Sequence, residues 1–269
     1  SFSGDPRVLE AAKKLGDFVL SEYLGGESLR FELRTPHRMA IFRKGLLELY
    51  RLTGNKNILK ALEKHYSAGA IERFNSEQRV MHHLPDLCYR LQAALSMAHY
   101  LGDETLLQQT ISVADKVWDY SGQISGVPVG NEETFYAHPR GYSEHCGVVL
   151  WMETCIELFR STGDMRYAGL AERCLYNAYL CSKLPDGKSL QYFSSVNQLV
   201  CTDWTGPYLR AHEPTGTYRG HFSMQHSPGC CNSITGKGLP MFLENSVMMN
   251  PDGSPVFVFY GPGTFVSSF

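Results

Sequence analysis

CIELFRSTGDMRYA, residues 155–168, reads as a helix that stops at a glycine and restarts two residues later. Gly163 suits the left-handed residue that ends a helix, and Asp164 suits the cap of the next one. The same phrase occurs twice upstream, as LLELYRLTGNKNIL (46–59) and ALSMAHYLGDETLL (94–107), with Gly54–Asn55 and Gly102–Asp103 at the joint. Apolar residues recur four before each glycine (Tyr50, Ala98, Phe159) and four after it (Ile58, Leu106, Tyr167), so the repeated unit is a helical hairpin. The glycines lie roughly 50–60 residues apart, room for two helices and their loops, and hairpins repeated at this period build a solenoid or a toroid.

Working outward, the pattern predicts helices at 6–22, 37–53, 57–73, 84–101, 104–120, 142–162, 165–183 and 233–248. Long loops are expected at 121–141 and 184–232. A connection as long as the second carries function or hides short strands, of which SLQYFSSV (189–196) is one candidate. The closing SPVFVFYGPGTFVSSF (254–269) alternates as a strand does. The expected fold is mainly α, with a helical domain over 1–250 and the start of a β segment over 251–269.

With 269 residues, 43% of them hydrophobic and 19% charged, the chain can bury one large core or two smaller ones. A net charge of -2 and the lack of any Lys/Arg run give no electrostatic case for nucleic acid or an acidic membrane surface. No stretch approaches the ~18 apolar residues of a membrane span, and SFSGDPRVLE shows no export signal, which favours the cytosol. A small neutral ligand fits this profile. Eight cysteines are too sparse for a disulfide scaffold. Cys88, Cys155 and Cys174 sit in helical patterns and read as small buried hydrophobes.

Cys146, Cys230 and Cys231 do not fit that description. HSPGCCNS (226–233) sets two thiols side by side in an expected turn, where a disulfide between them would be strained. PRGYSEHCG (139–147) offers Glu144 and Cys146 two residues apart, a spacing that converges only if the segment turns ahead of a helix. Together the four would make a tetrahedral site, and three thiolates with one carboxylate suit zinc rather than calcium or magnesium. Two unrelated free-thiol sites are the alternative.

The ordered landmarks GNEETF (130–135), YSEHC (142–146), STGDMRYAGLAERCLYNAYL (161–180), LQYFSS (190–195) and GCCNS (229–233) resemble glycoside hydrolase family 127, the β-L-arabinofuranosidases. The resemblance runs from about residue 35 to the end. It implies an (α/α)6 toroid, seen here in its later part or in shortened form, followed by a β-sandwich that begins in 254–269.

Carried over by residue, it makes Cys230 a zinc ligand and the catalytic nucleophile, with Glu144, Cys146 and Cys231 as the other ligands. Glu133, rather than Glu132, takes the place of the general acid/base because Glu133-Thr134-Phe135 lines up with the family's Glu-x-Phe. His83, Glu172 and Tyr192 match positions that bind the sugar, while Tyr176 and Asn177 read as residues that hold their helix in place. Two departures stand out: Glu144-His145-Cys146 where relatives read Glu-Thr-Cys, and Asn232 where many have proline. His145 would hydrogen-bond a substrate or cap its helix.

The implied activity is that of a zinc-dependent retaining glycosidase acting on terminal β-L-arabinofuranosides or a close furanoside, with a carbohydrate as partner. Two other readings fit the same residues: a helical toroid with a structural zinc that binds carbohydrate or protein without turnover, and a thiol redox protein.

Overall fold

In the computed structural model Gly54, Gly102 and Gly163 take φ of 65°, 66° and 70°, the left-handed conformation that an L side chain resists. The residue after each glycine caps the next helix. The N–H of Asn57 donates to Asn55 Oδ1 at 3.1 Å, that of Leu106 to Asp103 Oδ1 at 3.0 Å and that of Arg166 to Asp164 Oδ1 at 2.8 Å. The partners four residues downstream are buried, with Ile58 1%, Leu106 3% and Tyr167 2% exposed. The hairpin phrase is therefore realised three times.

The structure describes residues 5–24, 36–65, 71, 74, 76–77, 82–131, 133–134, 136–139, 141–183, 190–196, 229–261 and 264. Its helices are α1 (Pro6–Phe18), α2 (Pro36–Thr53), α3 (Lys56–His65), α4 (Leu84–Leu101), α5 (Glu104–Ser121), α6 (His145–Thr162), α7 (Met165–Cys174) and α8 (Gly229–Glu244). Wider π-helical turns follow α1 at Val19–Leu24 and α7 at Leu175–Tyr179. The short strands are β1 (Gly130–Asn131), β2 (Glu133–Thr134), β3 (Tyr142–Glu144), β4 (Phe193–Ser195), β5 (Val247–Met249) and β6 (Pro255–Phe257). Among the described residues no helix is long and apolar enough to cross a membrane.

Three expectations need correction. Residues 142–144 are a strand rather than the start of a helix, because β4 pairs with them antiparallel, Tyr142 opposite Ser195 and Glu144 opposite Phe193. The helix expected at 233–248 runs from Gly229 to Glu244, so Cys230 and Cys231 stand in its first turn rather than in a loop ahead of it, and Val247–Met249 is a strand. The helix expected to run through 183 keeps α geometry only to Cys174. Residues 197–228 of the long loop, with Cys201, lie outside the described residues.

The chain divides into two compact units, Ser1–Tyr120 with Glu132–Thr134, and Ser121–Asn131 with Phe135–Phe269. In the first, α2 packs against α1, α3 and α4. Leu46 and Leu47 of α2 and Leu87 and Leu91 of α4 are buried, each burial stabilising by about 1.5–3 kcal/mol. Tyr50 and Tyr100 meet edge to face at 4.9 Å. The N–H of His82 donates to Thr134 Oγ1 at 3.0 Å and the N–H of Thr134 donates to the His82 carbonyl at 2.8 Å. That reciprocal pair ties β2 to the start of α4.

In the second unit α6 is the central helix, buried at every residue from His145 to Ile156. A helix apolar nearly all round belongs inside, and α6 packs against both α7 and α8. Cys155 and Cys174 are fully buried, as is Cys88 in the first unit. β3 lies between β1, which runs parallel with Gly130 opposite Ser143, and β4. β5 and β6 pair antiparallel after α8, Met248 opposite Val256.

Candidate metal centre and active site

The strand-to-helix joint at β3/α6 sets the first half of the site. Glu144 ends β3 with extended backbone, φ −67° and ψ 138°, and α6 begins at the next residue. On a regular helix, side chains two apart diverge. The bend between strand and helix instead brings the Glu144 carboxylate and the Cys146 thiol together.

The first turn of α8 supplies the second half. The ligand atoms of Glu144, Cys146, Cys230 and Cys231 all lie within 4.8 Å of one another. Cys146 Sγ stands 3.2 Å from Cys231 Sγ, and the Cys231 thiol donates to Glu144 Oε1 at 3.8 Å. The two pairs thus form one cluster. Sulfur ligands ~2.3 Å from a tetrahedral metal stand about 3.8 Å apart, so these donors could hold a metal ion with small adjustments. Glu144, Cys146 and Cys231 are 1%, 5% and 0% exposed, whereas Cys230 is exposed.

Four ionised donors this close repel one another, so protons distribute unequally among them. Hydrogen bonds from the Cys146 and Cys231 thiols hold Cys230 below the usual thiol range. Bonding to Cys230 pushes the Cys146 thiol up, and burial pushes Cys231 up. Among the three thiols, the exposed one is thus the most readily ionised.

Tyr192 flanks this cluster. It is buried with Cys146, Leu190, Phe193 and Cys231, and Tyr142 and Ile234 pack against the group. Its carbonyl accepts the N–H of His145 at 2.8 Å, which fixes β4 against the start of α6. Glu172 lies on α7, half-buried, and no described hydrogen bond or ion pair links its side chain to the cluster. Tyr176 is exposed and meets Phe242 of α8 edge-on at 6.5 Å, and Asn177 is exposed.

His83 and Glu133 belong to the first unit. His83 precedes α4 and its Nδ1 stands 2.9 Å from Asp86 Oδ2. Glu133 forms β2 with Thr134, so the His82–Thr134 pair brings the backbones of the two candidates side by side. The Glu133 side chain lies outside the described residues.

One reading changes and one position escaped it. His145 does not cap α6, whose N-cap is Glu144; it is 1% exposed, stacked on Tyr179 at 5.6 Å and bonded on both ring nitrogens. Burial first, and the Lys183 charge second, push its imidazole down to about 3. Glu153, a lone carboxylate in the apolar run of α6, accepts from Lys237 Nζ of α8 with each of its oxygens at 2.7 Å. Its isolation was the available signal; for His145 there was only its place between two expected ligands.

A family model described as β-L-arabinofuranosidase, GH127 catalytic domain, matches residues 1–242, and so begins ahead of the landmarks. Among solved structures, one described as a glycoside hydrolase aligns with a TM-score of 0.74 at 20% identity, over 96% of this chain and 46% of its own. A GH127 β-L-arabinofuranosidase from Geobacillus stearothermophilus T6 aligns at 0.65 with 19% identity, over 93% and 44%. An unsaturated glucuronyl hydrolase specific for heparin aligns at 0.56 with 13% identity, over 93% and 70%. No curated protein sequence matches. These likenesses show the fold class, a mainly helical toroid of hairpins. The chain spans less than half the length of the first two structures.

Proposed function

This chain belongs to the GH127 β-L-arabinofuranosidase catalytic-domain family, and on that premise we propose that it is a retaining glycoside hydrolase. Its substrate in this reading is a glycan ending in a β-L-arabinofuranosyl or closely similar furanosyl residue. The observation that carries it is the asymmetry of the cluster: Glu144, Cys146 and Cys231 are buried, while Cys230 alone of the four is exposed.

The donor set suits zinc, held by Glu144, Cys146, Cys230 and Cys231. Bound there, zinc would keep the thiols deprotonated at neutral pH. Cys230 is the nucleophile. Its Sγ forms a bond to the anomeric carbon as the glycosidic C–O bond breaks, and Glu133 gives a proton to the departing oxygen. Water then attacks the same carbon, its proton returns to Glu133, and the C–S bond breaks, so the configuration is retained. Tyr192, packed against the cluster, borders the sugar; His83 and Glu172 bind its hydroxyls.

Residues from 251 onward are read as the start of a β-sandwich, which the β5/β6 pair supports. Burial of three ligands also suits a structural zinc in a non-catalytic binding module.

Hydrolysis of an aryl β-L-arabinofuranoside separates the two readings, with mass mapping of the chain trapped during turnover. Turnover with a pentosyl adduct at Cys230, both lost in Cys230→Ser, is the expected result. Sugar binding without turnover or adduct would leave the binding-module reading.

A further inference from the structure

We propose that His145 is a positioning residue: it clamps α8 to α6 and so keeps Cys230 and Cys231 within reach of Glu144 and Cys146. The proposal rests on the coordination reading above and deepens it.

The hydrogen bonds around the ring have a single direction. The Ser182 hydroxyl donates to the Tyr179 carbonyl at 2.8 Å, which uses its one proton. Its oxygen, 2.9 Å from His145 Nδ1, must then accept, and the ring carries its proton on Nδ1. A neutral imidazole has one donor and one acceptor, so Nε2 accepts from the Thr235 hydroxyl at 3.0 Å. The neutral form suits a ring shut away from water beside Lys183, whose ammonium sits 3.5 Å from the centre of the Tyr179 ring. The chain of donors runs from Thr235 through His145 and Ser182 to Tyr179.

Its mechanical meaning lies in where Thr235 stands. Thr235 follows Cys231 by one helical turn on the same face of α8. Gly238 continues that face, and a Cβ there would lie 2.3 Å from Tyr179 Cε2. Tyr179 in turn donates its hydroxyl to the Thr235 carbonyl at 2.5 Å and accepts the N–H of Leu239 at 3.3 Å. The ring of His145 stacks on this same tyrosine. One histidine, the first residue of α6 and set between Glu144 and Cys146, thus fixes the rotation and height of the helix that brings the other two.

His145→Phe keeps the stacked ring and removes both bonds; Thr235→Val removes one bond from the other side. Lys237→Met cuts a different polar link from α8 to α6, the one to Glu153, without touching the clamp. Cobalt(II) is the probe, through its thiolate charge-transfer absorption and its affinity. Expected are a tenfold to hundredfold loss of affinity, in the range of positioning partners of metal ligands, and a changed band in His145→Phe and Thr235→Val. Lys237→Met should keep the wild-type band.

Hydrogen exchange on the metal-free chain supplies a second readout. Amides 229–236 should exchange faster in the two clamp variants, with those of α7 unchanged. Wild-type affinity, band and exchange in His145→Phe would overturn the clamp. A wild-type chain that binds no cobalt sinks the coordination reading instead, and exchange alone then decides whether His145 holds α8.

Discussion

Cys146 Sγ and Cys231 Sγ stand 3.2 Å apart across 85 residues of sequence, both almost completely buried. One comes from the first turn of α6 and the other from the first turn of α8, so two helix starts are pinned at one point. A metal bound there joins α6 to α8 and stabilises the unit that contains them.

Zinc content follows from this geometry. The purified chain is expected to carry about one zinc, measured by atomic emission after removal of loosely held metal. Cys231→Ser should lower affinity by more than about a hundredfold. Free zinc at a hundred times Kd contributes ~2.7 kcal/mol, so chelation should lower the melting midpoint by roughly 5–10 °C. Equal metal content in wild type and variant would rule out Cys231 as a ligand.

Glu133→Gln removes the proposed proton donor while keeping the shape of its side chain. Turnover of an aryl β-L-arabinofuranoside should fall ~10²–10⁴-fold, with KM nearly unchanged and zinc retained. An unaltered kcat would move the acid/base role to another residue.

The repeat glycines can be tested against a helical one. Gly163→Ala forces an alanine to φ near 70° and should destabilise by about 1–2 kcal/mol in urea unfolding. Gly169→Ala, inside α7 with nothing within 4 Å of the added methyl, should stabilise by ~0.5–1 kcal/mol. Equal signs for the two would contradict the hairpin joint as described.

Gly238→Ala tests the seat of α8. The new methyl meets the ring of Tyr179, and displacing the helix to admit it should cost about 1–3 kcal/mol. Because Cys231 rides on that helix, zinc affinity should fall with stability. A drop in melting midpoint with full affinity would show that the helix start moves independently of its middle.

The helices were legible because their stops and starts are local: a glycine free to take positive φ and a capping Asn or Asp need only their immediate neighbours. The donor set was legible too, since three thiols and a carboxylate limit the metals they suit. β3 was not, because Tyr142–Glu144 becomes a strand only by pairing with β4, some fifty residues away. The first turn of α8 was also hidden, since Gly229 is a poor helix former.

Local chemistry in the chain was thus enough for the helical hairpins, their joints and the list of donors. Convergence of those donors depended on packing. Glu144 and Cys146 meet because a strand turns into a helix between them, and Cys230 and Cys231 reach them because α8 seats on Tyr179 and His145. Those contacts bind residues 50 to 90 positions apart, and their energy exists only once the core that buries them has formed.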